Sequence, residues 1–516
     1  MGSIMEYPRD YNAAVDFVDR IVDEGLGENT AFIDAQGSIT YGELKSATDR
    51  MGRLLDAHGV GREDRIAMIV LDTIDFPIIF WGAIKAGVVP VAINTMLTTE
   101  QYRYMLTDSR ARVLFVSAAL LPVVESLLGD LPALGKVFVI GDETAGHGEF
   151  RQELASHPDD FRPPPTCSDE VAFWLYSSGS TGQPKGVRHI HTSLMETARL
   201  YGKGVLGIRW DDVVFSAAKL FFAYGLGNGM SFPMSVGATT VLLADRPTPA
   251  AVFEILALNQ PTIFYGVPTL YAAILAEPDL TAESGSGRLR LCVSAGEALP
   301  KELGVTWRKK FGVDILDGVG STELLHIYLS NRPDEVNYGF SGRPVPGYQV
   351  RLVDEDGGGV EPGDIGELLV RGPTAADGYW NQRAKSRTTF EGEWTRTGDK
   401  YTRDGRGIFL YCGRTDDMFK VSGIWVSPFE VESALISHDS VLEAAVVPAE
   451  DEEGLLKPKA FIVLKEGRDS SSLTEPLQEH VKREVGNWKY PRWIEYVDSL
   501  PKTATGKIQR FKLRDP

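Results

Sequence analysis

Short, mostly apolar runs alternate with helix-like stretches through the first half of the chain, and this order is the strongest constraint on the fold. Runs such as Ile66–Leu71, Val113–Ser117 and Ile263–Val267 are rich in Val, Ile, Leu and Phe without strict alternation. Strands of this kind are typically covered on both faces, as in parallel sheets flanked by helices. Gly42–His58 and Thr99–Ser109, which lie between such runs, have helical spacing. We therefore predict an α/β fold built on mainly parallel sheets.

The pattern changes twice toward the C-terminus. From about residue 338, short segments separated by turn signals predict a small antiparallel β subdomain. A second change, at Gly413–Asp417, predicts a separate small α+β domain that follows a short charged hinge. Since 516 residues exceed the usual size of one domain, we expect a large domain in residues 1–415 and a small one in residues 416–516.

Charge and cysteine content narrow the classes of partner. The formal net charge of −18 argues against a broad nucleic-acid or anionic-membrane surface. The three cysteines, Cys167, Cys292 and Cys412, lack zinc-ligand spacing and fit reduced thiols. The N-terminus lacks a signal-peptide core, and no apolar run reaches membrane-spanning length. We expect a soluble, cytoplasmic protein with small-molecule partners; the sequence leaves a homodimer open.

The segment Tyr176–Gly186 combines glycines, hydroxyls and one lysine directly after the apolar Val171–Leu175. Glycines allow successive backbone N–H groups to approach an anion, and hydroxyls and a cation add donors. A Walker A loop is excluded because Lys185 follows Pro184 and no Ser or Thr follows the lysine. The alternative is a flexible Ser/Gly surface loop. We predict a phosphate-binding loop whose residues are Ser177, Ser178, Gly179, Ser180, Thr181, Gly182 and Lys185.

A second polar segment, Asp317–Glu323, follows the apolar Val313–Leu316. A strand end that presents a hydroxyl and a carboxylate suits a metal-bound phosphate, because Mg²⁺ prefers oxygen ligands and usually takes one or two carboxylates with phosphate and water. Thr322 and Glu323 are the hydroxyl and the carboxylate that this segment would present.

The chain resembles the adenylate-forming superfamily of acyl-CoA synthetases, peptide-synthetase adenylation domains and luciferases. Ser177–Gly186 matches the pattern [ST]-[SG]-G-[ST]-[TS]-G-x-P-K-G throughout. Five further family motifs occur in the family order: Ser294–Ala298, Asp317–Glu323, Trp394–Asp399, Gly413–Asp417 and Pro501–Lys507. The resemblance implies an enzyme that uses ATP and Mg²⁺ to convert a carboxylic acid to an acyl-adenylate and transfers the acyl group to coenzyme A.

The resemblance also implies roles for single residues of the nucleotide site. Glu323 would bind Mg²⁺ and Thr322 the α-phosphate, while Asp399 would accept from the ribose hydroxyls. Arg414 would contact the ribose or the phosphates. The adenine would lie against Gly296, Glu297, Ala298, Asp317 and Gly318.

The C-terminal domain is expected to be mobile. By resemblance, Lys507 would neutralise charge between the acid and the α-phosphate during adenylation. Asp416 would be the hinge about which the domain rotates between the two half-reactions. Lys420 and Gly423 would face the site only in the second, thioester-forming arrangement.

Four segments closely resemble benzoate–CoA ligases and their hydroxybenzoate and aminobenzoate relatives: Ser216–Asn228, Ser321–His326, Gly342–Gly347 and Lys420–Phe429. This resemblance implies an aryl-acid pocket lined by Phe222, Ala223, Tyr224, Gly266, Val267 and His326. Tyr224 and His326 are candidates for polar contacts.

Several points stay open at this level. The preferred acid is one of these points, because benzoate, 4-hydroxybenzoate and 2-aminobenzoate differ from one another by only one polar group. A carrier-protein thiol could replace CoA, and a nucleotide-binding protein without turnover is a further alternative. Arg188 departs from the Val or Met that is common in the family at this position, and it has no assigned role.

Overall fold

The computed structural model describes residues 6–179, 182–277, 279–415, 417–421, 424–451, 455–465, 470–486, 489–502 and 508–514. Within these residues, two large sheets with mainly parallel pairing form the N-terminal part of the chain. The predicted α/β class is thereby confirmed. No helix of the described ranges is long and apolar enough to cross a membrane.

The first large sheet contains most of the strands between residues 210 and 345. Five neighbouring pairs are parallel, and antiparallel strands lie at its two edges. Its strands are, in spatial order, Arg343–Pro344, Ile327–Ser330, Ile315–Gly320, Leu291–Ser294, Ile263–Gly266, Val213–Ser216, Thr239–Val241, Thr30–Asp34 and Gly37–Thr40.

The second large sheet is parallel except for the hairpin and the short strand at one edge. Its strands are, in spatial order, Gly378–Tyr379, Gly182–Ile190, Val171–Gly179, Val89–Ala92, Arg65–Ile69, Val113–Ser117, Lys136–Ile140 and Gly148–Glu149.

Helices cover both sheets. The longest, Tyr41–Ala57, begins at a reciprocal cap in which Thr40 and Glu43 satisfy each other's backbone N–H groups. The helix Asp75–Lys85 is buried along its whole length. The remaining α-helices are Thr99–Ser109, Leu121–Val124, Phe150–Ala155, His191–Thr197, Ala223–Leu226, Phe232–Met234, Pro249–Asn259, Pro268–Ala276, Lys301–Phe311, Arg383–Thr389, Pro428–Ile436, Thr474–Val485 and Phe511–Arg514.

Short 3-10 and π-helical turns connect these elements. They are Val15–Asp19, Val22–Leu26, Ala118–Leu120, Glu125–Asp130, Ala198–Lys203, Gly227–Ser231, Ala282–Ser284, Thr322–Leu324 and Ser470–Ser472. The turn Thr322–Leu324 carries the predicted α-phosphate and magnesium residues and directly follows the strand Ile315–Gly320.

The predicted β subdomain is present as an antiparallel sheet. Its strands are Gln349–Val353, Gly366–Arg371, Trp394–Arg403 and Phe390–Glu391, with Phe409–Arg414 also paired to Trp394–Arg403. Beyond it, the pairs Phe419–Val421 with Ile424–Val426, and Val441–Glu450 with Leu456–Leu464 and Trp493–Tyr496, build the C-terminal part. Two helices, Pro428–Ile436 and Thr474–Val485, pack on it around a core of its own. The predicted smaller C-terminal domain is confirmed; its boundary at residue 416 stays a prediction.

The prediction of a loop over Tyr176–Gly186 is wrong for most of that segment. Val171–Gly179 and Gly182–Ile190 form an antiparallel hairpin, with Tyr176 opposite Gly186 and Ser177 opposite Lys185. Gly and Ser have low strand propensity, but pairing against a neighbouring strand overrides it. Those of the predicted phosphate-binding residues that the structure describes therefore lie on a β-hairpin formed by Val171–Gly179 and Gly182–Ile190, called the phosphate hairpin below.

Candidate active site

The two large sheets meet where the strand Ile315–Gly320 ends and the phosphate hairpin passes beside it. The Nε2–H of His189, on the hairpin, donates to the Thr322 carbonyl at 2.8 Å. From the other side, the backbone N–H of Ala376 donates to the Glu323 carbonyl at 2.9 Å. These contacts fix the turn Thr322–Leu324 against the hairpin.

Glu323 is the centre of a polar cluster. Its Oε1 accepts from the hydroxyl of Tyr379 at 2.8 Å and from the Ser177 hydroxyl at 3.2 Å, and it lies 3.4 Å from Lys185 Nζ. Both charged side chains are poorly exposed, 11% for Lys185 and 15% for Glu323. Burial by itself would raise the pKa of Glu323, but Lys185 and the hydroxyl donors outweigh it, so the pKa is lowered. Burial lowers the pKa of Lys185.

This cluster fits the cation that the fold family implies. One buried carboxylate beside a hydroxyl and a lysine suits Mg²⁺, which commonly uses one or two protein carboxylates and completes its shell with phosphate and water. Among the residues that the structure describes, no group of three His, Cys, Asp or Glu side chains could hold a metal alone. Glu323 would therefore share the ion with the phosphates.

Asp399 and Arg414 form the second polar element. They stand opposite each other on neighbouring antiparallel strands, and Arg414 Nη1 donates to Asp399 Oδ1 at 3.0 Å. The nearby carboxylate raises the pKa of Arg414. A Cβ on Gly398 would come within 3.0 Å of the Arg414 guanidinium, and the backbone there has φ +72°. The backbone conformation and the close approach of the guanidinium thus favour glycine at this position.

Asp317 is a deeply buried carboxyl group within the strand Ile315–Gly320. Its carboxylate accepts from the backbone N–H of Leu299, which places the Gly296–Ala298 segment next to it. Burial raises the pKa of Asp317 well above its usual range. Within the described part of the chain, Asp317 Oδ1 is buried without a hydrogen-bond partner. A polar atom on the edge of adenine would supply the missing partner.

His326, one of the residues predicted to line an aryl pocket, lies among aromatic side chains. Its ring lies 4.5, 5.5 and 5.6 Å from the rings of Phe232, Tyr201 and Tyr224. The Nε2–H of His326 donates to the Tyr224 carbonyl at 3.2 Å, and burial lowers the pKa of His326 to about 3. The imidazole is therefore neutral with Nδ1 as an acceptor. Nδ1 is buried and has no partner among the described residues.

The hydroxyl of Tyr224 is oriented by the protein. It donates to the carbonyls of Gly266 and Val293, at 3.2 and 3.1 Å. Phe222 and Ala223 stand at the start of the short helix Ala223–Leu226, and Val267 precedes the helix Pro268–Ala276. All three side chains are half-buried. The residues predicted to line the pocket thus lie at two helix starts and at His326, which follows the turn Thr322–Leu324.

Some predicted site residues fall outside the described ranges: Ser180, Thr181, Asp416, Gly423 and Lys507. Of Ser178, Gly179, Gly182 and Lys420, the structure describes the backbone position only. Their proposed roles are untested by the geometry.

Sequence reasoning missed residues that hold the cluster in place. Tyr379 and His189 both contact the turn Thr322–Leu324, and neither belongs to a motif used above. Arg188 also acquires a structural role: its Nη2 lies 2.7 Å from Asp377 Oδ2, and its carbonyl accepts from the Asp377 N–H. Arg188 therefore ties the phosphate hairpin to the segment that carries Tyr379. The Gly-Tyr-Trp sequence at 378–380 was the available, unused signal.

Solved structures with this architecture are adenylate-forming enzymes. A benzoate CoA ligase from Burkholderia xenovorans LB400 superposes with a TM-score of 0.91 at 50% identity, covering 98% of this chain and 100% of the other. An anthranilate CoA ligase in complex with anthranoyl-AMP gives a TM-score of 0.94 at 43% identity, covering 99% and 98%. The fold and site thus define an adenylate-forming enzyme.

Sequence comparison gives the family. The model for AMP-binding enzymes matches residues 20–380, and the model for the AMP-binding enzyme C-terminal domain matches residues 430–507. The 4-hydroxybenzoate–CoA/benzoate–CoA ligase of Rhodopseudomonas palustris is 58% identical over 509 residues, 98% of this chain and 94% of that protein. This chain belongs to the AMP-binding enzymes.

Proposed function

We propose that this protein is an ATP-dependent aryl-CoA ligase that converts benzoate or a substituted benzoate to its CoA thioester through an aryl-AMP intermediate. One observation carries the proposal. The turn that presents Thr322 and Glu323 to the phosphate hairpin leads, three residues later, to His326 in the aromatic pocket. A ring bound beside His326 would bring its carboxylate toward Thr322, the residue proposed to bind the α-phosphate. The relative at 58% identity is named a ligase for benzoate and 4-hydroxybenzoate.

In the first half-reaction, an oxygen of the aryl carboxylate attacks the α-phosphorus of ATP. The bond from that phosphorus to the α,β-bridging oxygen breaks, and pyrophosphate leaves. Lys185 and the hydroxyls of the phosphate hairpin hold the departing β- and γ-phosphates, and the Asp399–Arg414 pair holds the ribose. Mg²⁺ beside Glu323 would screen the negative charge of the phosphates. Lys507 would stabilise the charge that develops between carboxylate and phosphate.

In the second half-reaction, the CoA thiol attacks the carbonyl carbon of the aryl-AMP and AMP leaves with the electrons of the cleaved C–O bond. The sulfur loses its proton in this step. We assign residues 1–415 to ATP and acid binding and residues 416–516 to a mobile domain that turns about Asp416. Lys420 and Gly423 would then face the site. No nucleophile from the protein is required, because AMP is already a good leaving group.

The pocket favours a small planar acid. Aromatic rings lie 4.5 to 5.6 Å from His326, and Phe222 and Val267, which the family resemblance assigns to the pocket, are half-buried. A neutral imidazole whose free Nδ1 is an acceptor can bind a hydroxyl or amino substituent, which keeps 4-hydroxybenzoate and 2-aminobenzoate among the candidate substrates. A relative of the same fold is bound to anthranoyl-AMP.

The proposal is tested by ATP–pyrophosphate exchange across benzoate, its hydroxy and amino derivatives and short aliphatic acids. Exchange is expected with the aryl acids alone, followed by AMP release when CoA is added. Release of ADP would contradict the reaction class. Transfer to a carrier-protein thiol at a rate above that to CoA would instead favour the alternative, a stand-alone adenylation enzyme.

We also propose a cytoplasmic location, which suits the three free cysteines and the use of ATP and CoA. Size-exclusion chromatography with light scattering would decide between a monomer and the homodimer that the sequence leaves open.

A further inference from the structure

Tyr379 contacts both charged residues of the polar cluster, Glu323 and Lys185. Its hydroxyl donates to Glu323 Oε1 at 2.8 Å. The Tyr379 hydroxyl oxygen also lies 3.3 Å from Lys185 Nζ. The Lys185 ammonium also lies 4.5 Å from the centre of the Tyr379 ring. One side chain therefore offers a hydrogen-bond donor to the carboxylate and both an acceptor and a π-face to the cation.

The backbone around Tyr379 is fixed from several directions. The Tyr379 N–H donates to Ser386 Oγ at 3.0 Å. Tyr379 also stands opposite Val187 of the phosphate hairpin in an antiparallel strand pair. On either side, the Asp377 N–H donates to the Arg188 carbonyl and the Trp380 N–H to the Gly186 carbonyl. Trp380 Nε1 donates to the Asp108 carbonyl at 2.9 Å. Strand pairing with the phosphate hairpin and these hydrogen bonds thus fix the position of the Tyr379 backbone.

Glu323 and Lys185 need different partners once a nucleotide is bound. In the structure they pair with each other at 3.4 Å in a poorly exposed site. Triphosphate draws Lys185 toward phosphate oxygens, while the carboxylate is needed by the metal. Separation of a buried pair is costly when each charge is left alone. The Tyr379 hydroxyl remains as a partner for the Glu323 carboxylate after Lys185 has moved.

We propose that Tyr379 is a positioning residue that holds Glu323 in place for the metal–triphosphate complex after Lys185 has turned to the phosphates. This inference rests on the proposed function. It assigns to Tyr379 a contribution to MgATP binding, and only a small one to binding of the aryl acid or to metal-free nucleotide.

The test is the Tyr379→Phe variant, which keeps the ring and removes the hydroxyl. The matched control is Tyr338→Phe, because the Tyr338 hydroxyl also donates to a carboxylate, Asp314 Oδ1, at 2.8 Å. Asp314 directly precedes the strand Ile315–Gly320, and the turn with Glu323 follows that strand. ATP binding is measured by titration calorimetry with excess Mg²⁺ and again in EDTA, and thermal unfolding checks that each variant is folded.

With Mg²⁺, Tyr379→Phe is expected to raise the Kd for ATP about tenfold, since a hydrogen bond to a charged group is lost. In EDTA the change should be less than about twofold, and Tyr338→Phe should bind normally under both conditions. In steady-state assays, the KM for ATP should rise while the KM for benzoate and kcat stay close to wild type.

A double-mutant cycle supplies a readout that a general structural effect would not produce. Because Tyr379 acts through Glu323, the Mg²⁺-dependent loss in Tyr379→Phe should vanish when Glu323→Gln is already present. Additive losses, an equal loss in EDTA, or a wild-type Kd with Mg²⁺ would each overturn the proposal. These titrations need no turnover, so a protein that binds MgATP as described but forms no aryl-CoA would contradict only the proposed function.

Discussion

Asp399 and Arg414 face each other across two antiparallel strands, joined at 3.0 Å, and the carboxylate side chain is only 11% exposed. Without structural context, an Asp and an Arg such as these more often form a surface ion pair that contributes little to stability. The low exposure of the carboxylate, and the glycine that lets the strands close at Gly398, argue for a role in binding. The ribose of ATP is the partner that the family resemblance implies.

Asp399→Asn is therefore expected to raise the KM for ATP by about tenfold or more, because hydrogen bonds from the ribose hydroxyls would no longer reach a charged acceptor. The KM for benzoate should change little. Initial-rate assays with each substrate varied in turn measure both constants. The matched control is Glu367→Gln, which weakens a 2.9 Å pair with Arg396 in the same sheet. A similar rise in both variants would contradict a ribose role.

His326→Leu is expected to alter the preference among ring-substituted acids. The substitution leaves a side chain of related size but removes the Nδ1 acceptor, together with the Nε2–H that donates to the Tyr224 carbonyl. We expect kcat/KM for a substrate whose hydroxyl or amino group bonds to Nδ1 to fall about tenfold relative to unsubstituted benzoate. Parallel assays with benzoate, 4-hydroxybenzoate and 2-aminobenzoate identify which ring substituent forms a hydrogen bond with His326. An equal decrease for all three acids would show that His326 only packs against the ring.

The pH profile gives a second check on His326. Burial lowers the pKa of its imidazole to about 3. The wild-type kcat/KM for benzoate should therefore show no transition from His326 between about pH 5 and pH 8, the range in which an ordinary histidine titrates. A transition in that range that disappears in His326→Leu would contradict the neutral imidazole.

The elements that sequence patterns predicted well are those in which local and tertiary signals agree. The helix Thr99–Ser109 was predicted with its observed bounds, and a reciprocal Thr98–Gln101 cap defines its start. Fully buried strands such as Val113–Ser117 were also recognised, because a position covered on both faces admits few polar residues. In the phosphate hairpin, by contrast, local propensity and tertiary pairing disagree.

The parts of the site that motifs did not reveal depend on contacts between distant segments. Tyr379 is 56 residues from Glu323 and 194 from Lys185 along the chain. His189 is 133 residues from Thr322. Periodicity and local spacing carry no information about such contacts. The motifs identified which chemical groups the site uses, whereas the residues that position them became apparent only when the sheets were brought together.

Asp72 provides a pH-dependent test of stability. Burial raises its pKa to about 6, although Lys219 and the Leu220 N–H oppose the shift. The carboxyl loses its proton at lower pH in the unfolded chain, so its contribution to folding falls as pH rises from about 4 to about 6 and is constant above that. A shift of about two units corresponds to about 3 kcal/mol as an upper bound.

Asp72→Asn removes this titration while it keeps an oxygen that can accept from Leu220. The unfolding temperature of the variant minus that of wild type should therefore increase between pH 4 and pH 7. Asp404→Asn is a control, because hydrogen bonds, first of all from the Ile408 N–H, lower the pKa of Asp404. For this variant the difference in unfolding temperature from wild type should change with pH in the opposite direction. A difference for Asp72→Asn that does not vary with pH would contradict the raised pKa.

Glu432 links residues 508–514 to the rest of the C-terminal domain through Arg510. Its side chain is 5% exposed and accepts two bonds from Arg510, at 2.9 and 2.7 Å. Glu432 Oε1 also accepts from the Val446 N–H at 2.7 Å. On the other side of the 503–507 segment, Lys502 Nζ lies 2.5 Å from Glu443 Oε1. These two ion pairs differ in burial, since both partners of the second are about a third exposed.

Removal of one partner of a buried ion pair costs about 3–5 kcal/mol, whereas exposed pairs contribute about 0–1 kcal/mol. Glu432→Gln should thus accelerate amide exchange in residues 508–514 and lower the unfolding temperature, while the control Glu443→Gln should change both slightly. If the pair also positions Lys507, adenylation should slow in Glu432→Gln whereas preformed aryl-AMP still reacts with CoA. Equal slowing of both half-reactions would indicate that the ion pair maintains the domain as a whole and has no specific part in positioning Lys507.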